Sequence, residues 1–298
     1  MDIGEKIKQL RAAKYMTQSQ LAGDYMTRNM LSRIENGAVK PSLSTAVYIA
    51  ERLKVPVGYL LADGEGELIY KKIYHMDNIK RAFTDGNYKI CRDLCLSTKC
   101  NDDEICFILS RCDIGIAKEE FFFGRLRSAV RFFEEAIEYD SQTFYSNGFI
   151  KSESAVYMRF LHRISPMLLI DISEVDEYYE ILPNDYICKY ILSLEKLENG
   201  NDGIIKEIMD YYCSLQETPL SVHIRARYAM MNNDYSTAHF FLKQILNMQE
   251  RIADPILYTV FLDLEICSRE MGDYKDAYEY SADKVNLLER MLAESEEI

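Results

Sequence analysis

The chain has 298 residues, 35 basic side chains against 48 acidic ones, and a formal net charge of −13. No run of 18 apolar residues and no leader pattern occurs, which argues against a membrane span and predicts a soluble, cytoplasmic protein. Eight cysteines without a leader fit a reducing compartment and not a disulfide framework. With only six prolines and thirteen glycines, and helix formers dominating, the fold is expected to be all-α. The length leaves room for a small head and one larger domain.

In chain order, Ile3, Ile7 and Leu10 recur at helical spacing and predict an amphipathic helix over residues 3–13. Thr17 followed three residues later by Gln20 reads as a capping box, with Leu21 and Ala22 on the buried side. Residues 23–26 supply a turn, and Thr27 caps a third helix with Met30, Leu31 and Ile34 expected inward. That leaves Thr27, Arg28, Asn29, Ser32 and Arg33 facing outward. Gly37 ends this helix. Pro41 and Ser42 open a fourth, with Val47, Ala50 and Leu53 inward, and residues 56–61 close the bundle. Two short helices joined by a tight turn, the second bearing Arg and Asn near its start, have the layout of a DNA-reading helix-turn-helix. Double-stranded DNA is therefore the expected partner. Charge agrees. Residues 1–62 hold nine basic and five acidic residues, a net of +4, while the remainder holds 26 against 43, a net of −17. A basic head on an acidic body confines DNA contact to the head.

The run TQSQLA…LSRIENG…PSLSTAVYIAERLKVPVGYLL resembles the Xre/phage-repressor class of helix-turn-helix domains. That resemblance implies backbone contacts from Gln18 and Asn36, with Arg28, Asn29 and Arg33 reaching base edges. Arg suits guanine and Asn suits adenine because their paired hydrogen-bonding atoms match those edges. The turn between the two helices is one residue shorter than the commonest form. In this it is similar to the RRNPP peptide-pheromone receptor family (the Rgg, PlcR and PrgX group).

Asp63-Gly64-Glu65-Gly66-Glu67 has two glycines, alternating charge and no apolar residue, and is expected to be a linker. The head is thus 1–62, the linker 63–67, and a repeat domain 68–298. The repeat domain is read from a recurring Gly/Asn turn: Gly86-Asn87-Tyr88, Gly124, Gly200-Asn201-Asp202, Asn233-Asp234-Tyr235 and Gly272-Asp273-Tyr274. Small and aromatic residues keep fixed places around the turn. Ala117 precedes Gly124, Ala129, Phe133 and Ala136 follow it, and Ala238 and Ala277 take the same place after the last two turns. This resembles the tetratricopeptide repeat, with a degenerate unit over about 150–183. Six helix pairs are expected to stack into a right-handed superhelix.

With the turn as anchor, the concave face should present Arg111, Lys118, Tyr190, His223, Arg227 and Arg269. These would suit an extended anionic or C-terminal-carboxylate ligand, or else be tied up in intramolecular salt bridges. Head and repeats together resemble the RRNPP architecture across the chain. That implies a transcription regulator that senses a short signalling peptide in its groove and forms a homodimer through the repeats.

Other constellations are weaker. Cys91, Cys95, Cys100, Cys106 and Cys112 crowd into 22 residues, yet without a CxxC pair, and Cys91 and Cys95 fall on core positions of the first repeat. No phosphate loop, GxSxG or HExxH occurs, so neither catalysis nor a cofactor or metal is expected. Two other readings stay open: a protein-interaction adaptor with secondary DNA binding, and a metal- or redox-responsive regulator.

Overall fold

The computed structural model describes residues 2–168, 170, 185–200 and 202–293. The described secondary structure is helical throughout. It divides into two compact units, Met1–Asn101 and Asp102–Ile298.

The first unit opens with five short helices: α1 (Ile3–Ala13), α2 (Gln18–Ala22), α3 (Arg28–Glu35), α4 (Leu43–Leu53) and α5 (Val57–Leu61). Their starts are chemically marked. Thr17 and Gln20 form the reciprocal capping box, Thr27 Oγ1 accepts from the Met30 N–H, and Ser42 Oγ accepts from the Thr45 N–H. Ile7, Leu21, Leu31, Ile34, Ile49, Leu53 and Leu60 make the shared core. Gly4 sets how closely α1 meets α3: a Cβ there would lie 2.1 Å from the Ile34 carbonyl oxygen.

The expected linker is not one. Residue 64 begins α6 (Gly64–Thr84), a helix of 21 residues that pairs with α7 (Tyr88–Ser97). Glu67 is buried, ion-paired with Lys6 at 3.2 Å and with Lys71 at 3.1 Å. The Lys6 ammonium, itself buried, also donates to the carbonyl oxygens of Tyr59 (3.3 Å) and Ala62. Composition marked a loop, but burying Lys6 required a carboxylate from the next helix. The compact unit therefore runs past residue 67 to the end of the first helix pair.

The second unit contains α8 (Asp103–Phe122), α9 (Leu126–Ser141), α10 (Phe149–Ile164), α11 (Tyr186–Asn199), α12 (Asp202–Ser214), α13 (Pro219–Met231), α14 (Tyr235–Leu246), α15 (Asp254–Glu270) and α16 (Tyr274–Ala293). Helices 8/9, 11/12, 13/14 and 15/16 pair, and α10 begins the degenerate unit. Leu169 and residues 171–183 of that unit, with Asn184 and Asn201, lie outside the described residues. Four of the expected turns share one hydrogen-bond pattern. Gly86, Gly124, Asn233 and Gly272 have φ between 58° and 82°, and each N–H bonds three residues back while the next N–H bonds five back. That is the Schellman motif, with Asn233 adopting the left-handed conformation that glycine takes elsewhere. Gly200 differs: its φ is −82° and it ends α11 in extended backbone.

The small residues are where the repeat needs them. Ala117, Ala129, Ala136 and Ala238 are fully buried, as is Phe133. In a solenoid each repeat touches only its neighbours. Here α8 also touches α15, and α9 touches α16. Residues of both helices of the pairs share a core that includes Ile114, Phe133, Tyr157, Tyr190, Ile256 and Met291, while Val222, Leu242, Val260 and Leu264 form a second one.

Candidate nucleic-acid interface and ligand-binding residues

On α3 the inward stripe is Leu31, Ile34 and Glu35. Thr27, Arg28, Asn29 and Arg33 are exposed, Ser32 is half-buried, and Asn36 caps the exposed C-terminal end. Among the described residues neither Arg28 nor Asn29 is committed to a side-chain partner, so their donors are available. Met30, expected inward, is 41% exposed because it sits a helical step off the buried stripe.

Gln18 is only half-buried, and its Nε2 donates to Glu35 Oε2 at 2.8 Å. Glu35 is buried and also receives Arg11, Nε to Oε1 at 2.6 Å and Nη2 to Oε2 at 3.1 Å. Arg11 Nη1 reaches the Met16 carbonyl at 2.8 Å. The hydrogen bond to Glu35 raises the Arg11 pKa, against burial. One N–H of the Gln18 amide is thereby fixed on Glu35, which orients its second N–H. Sequence reasoning missed Glu35 because its partners lie on two other helices. A second brace joins α2 to α4. Tyr48 donates to the Ala22 carbonyl at 3.0 Å, Arg52 to that of Gln20 at 2.6 Å, and Tyr25 stacks on Tyr48.

The residues expected on an open concave face are placed otherwise. Tyr190 and His223 are completely buried. The Tyr190 hydroxyl meets His223 Nδ1 at 2.5 Å, and His223 Nε2 meets Asp263 Oδ2 at 2.8 Å. A neutral imidazole protonated at Nε2 satisfies both contacts. Burial holds the His223 pKa below its ordinary value, despite Asp263, because Arg227 already lies against that carboxylate. These two residues are therefore interior, and the packing of α11, α13 and α15 is what buries them.

The cations are mostly paired. Arg111 lies 3.1 Å from Asp140 and stacks over Phe107. Lys118 contacts Glu153, and Asp185 at 3.2 Å. Arg227 reaches Asp263 at 2.5 Å and, loosely, Glu198 at 3.5 Å. Arg159 and Arg163 of α10 add pairs with Glu195 and Glu198. Apart from Arg111–Asp140, which lies within the α8/α9 pair, these form a ladder of ion pairs between successive repeats. Arg269 alone of the six is exposed with no described partner.

Glu153, Asp185 and Cys188 bring three potential metal ligands within 4.8 Å of one another. Burial pushes the Asp185 carboxyl up, but Lys118, the Cys188 N–H and the Tyr157 hydroxyl together hold it below the usual range. Burial pushes the Cys188 thiol far up, so it stays protonated. The site is chemically an ammonium pocket. The cysteine-rich stretch supplies no such group among the described residues. Cys91 and Cys95 are buried in α7, and Cys106 and Cys112 in α8.

No curated protein sequence matches the chain significantly. Solved structures align along nearly its whole length at low identity. PlcR of Bacillus thuringiensis, in complex with the peptide PapR7 and DNA, is 16% identical, covering 99% of this chain and 98% of that one, with a TM-score of 0.26. The SHP pheromone receptor Rgg2 of Streptococcus dysgalactiae is 12% identical over 100% of both chains, with a TM-score of 0.24. ComR from S. thermophilus, in complex with DNA and its signalling peptide ComS, is 16% identical, covering 96% and 99%, with a TM-score of 0.24. Residues 7–60 match the helix-turn-helix family, and the head of this chain is a helix-turn-helix domain.

Proposed function

We propose that the protein is a sequence-specific, DNA-binding transcription regulator, acting as a cytoplasmic homodimer, whose repeat domain senses a ligand, most simply a short signalling peptide. The observation that carries the DNA reading is the exposed start of α3, where Thr27, Arg28 and Asn29 project beyond a core that buries Leu31, Ile34 and Glu35. Base contact falls to Arg28, Asn29 and Arg33, with Ser32 beside them, and backbone contact to Gln18, Thr27 and Asn36.

For the ligand, Arg227 is the anchor of choice. Its loose contact with Glu198, which Arg163 also holds, is the one a peptide carboxylate can replace. Arg269 offers a second, uncommitted guanidinium. Binding shifts DNA affinity only through unequal contact with two conformations.

The test is capture of genomic fragments by the purified protein, followed by titration of the recovered site with Arg28→Ala and Asn29→Ala. Each should cost about 1–3 kcal/mol on that site and relax base preference. Unchanged affinity and preference in both would remove the assignment. Calorimetry with short peptides encoded near the gene tests the sensor. Arg269→Ala, which breaks no described ion pair, should weaken peptide binding and leave ligand-free DNA binding intact, whereas Arg227→Ala also strands the buried Asp263 and should lower stability.

A further inference from the structure

Away from the DNA-facing helix and the ion-pair ladder, the first unit holds a solvent-open pocket of about 590 Å³. The end of α1, the α4–α5 connection and one face of α6 wall it. That volume is in the range of small-molecule sites. The floor is apolar: Leu10, Val55, Tyr59 and Tyr70. Gly58 makes the floor possible, since a Cβ there would lie 1.9 Å from the Tyr70 hydroxyl. Tyr70 instead lies edge-on to Tyr59, with ring centroids 6.3 Å apart.

The rim is cationic. Lys14 ends α1, and Lys54 ends α4 in a left-handed turn with φ 51°. Both are exposed, and among the described residues neither has an acidic partner. The third lysine, Lys71, is already held by Glu67. His75 adds a buried Nδ1 without a hydrogen-bond partner, an uncompensated polar atom in the wall. Two unpaired ammonium groups over an aromatic floor describe a receptor for an anion with an apolar body. The C-terminal ends of α1 and α4 carry partial negative charge, which offsets part of the lysines' field. That disfavours a dianion such as a phosphate ester and leaves a single carboxylate as the better match.

We propose that this pocket binds a small amphipathic monocarboxylate, its apolar part against Tyr59 and Tyr70 and its carboxylate between Lys14 and Lys54. The site is separate from the peptide reading above and does not depend on it.

Decanoate is the probe, with decanol as its uncharged counterpart, each titrated calorimetrically into the full chain below its micellar concentration. Decanoate should bind saturably at one site per chain, about tenfold more tightly than decanol. The double variant Lys14→Gln/Lys54→Gln should lose that difference while unfolding at the parent's temperature. A second measurement needs no variant. Decanoate should protect Lys14 and Lys54, but not the exposed Lys40, from chemical acetylation read by peptide mass spectrometry. Absent saturable binding, equal affinity for decanol, or unprotected Lys14 and Lys54 would each overturn the proposal.

Discussion

At Glu35 a single buried carboxylate takes donors from α1 and α2, and the two have different consequences when removed. Gln18→Ala leaves Arg11 paired, so stability should hold while DNA affinity falls by about 1 kcal/mol on every sequence alike. Glu35→Ala strands Arg11 and frees the Gln18 amide. It should lower stability by about 3 kcal/mol as well as weaken DNA binding. Urea unfolding and anisotropy with specific and scrambled duplexes separate the two. His223 gives a pH prediction. Its folded pKa is depressed, chiefly by burial among Tyr190, Asp263 and Arg227, so the unfolded chain takes up a proton that the folded chain refuses. Stability from this group is present above the ordinary histidine value, about 6.5, and is lost as pH falls through it. Glu153 and Glu195, whose pKa values burial raises, act in the opposite sense. The comparison is therefore parent against His223→Gln in urea at several pH values, and the variant should lose less stability on acidification. Equal slopes would count against a neutral buried imidazole.

Among the elements, the Schellman turns test packing against backbone cost. Gly124 has φ 76°, and a Cβ there would lie 2.8 Å from both Asp254 Cβ and Met291 Cγ. Gly272 has φ 82° and nothing within 4 Å. Gly272→Ala should cost only the left-handed backbone penalty of about 1–2 kcal/mol. Gly124→Ala should cost clearly more, since α15 and α16 must also move aside. Thermal unfolding of the two variants decides it. These turns were legible in the sequence because a glycine or asparagine at a helix end is a local signal, and so were the alanines beside them. The 63–67 segment was misread because glycine and acid density are local too, whereas its role is set by Lys6, sixty residues upstream. The arginines and lysine of the expected groove lie on α8, α13 and α15, the first helices of their pairs. Whether such a face stays open depends on how closely α11, α13 and α15 pack on one another, which no spacing within a repeat encodes.

For the whole molecule, charge is the property that the sequence discloses best. A head at +4 and a remainder at −17 predict DNA binding that weakens by at least about tenfold between roughly 50 and 200 mM salt, read by anisotropy on a fixed duplex. A flat response would mean that few phosphates are contacted. One head buries too little surface for tight specific binding, so two are expected to act on a pseudo-palindrome. Light scattering at micromolar concentration should report a dimer. A monomer both with and without the captured site would remove that reading.

The buried Lys6 also decides where this chain can be divided. Its charge is answered by Glu67 and by carbonyls at the end of α5, so a fragment ending at residue 62 would lose that carboxylate and leave the ammonium stranded. Glutamate-specific proteases should spare Glu67 in the native protein, although its glycine-rich neighbourhood looks cleavable. The portable DNA-reading cassette, the piece to fuse to another effector or to exchange with a relative, ends after α7 at Asn101.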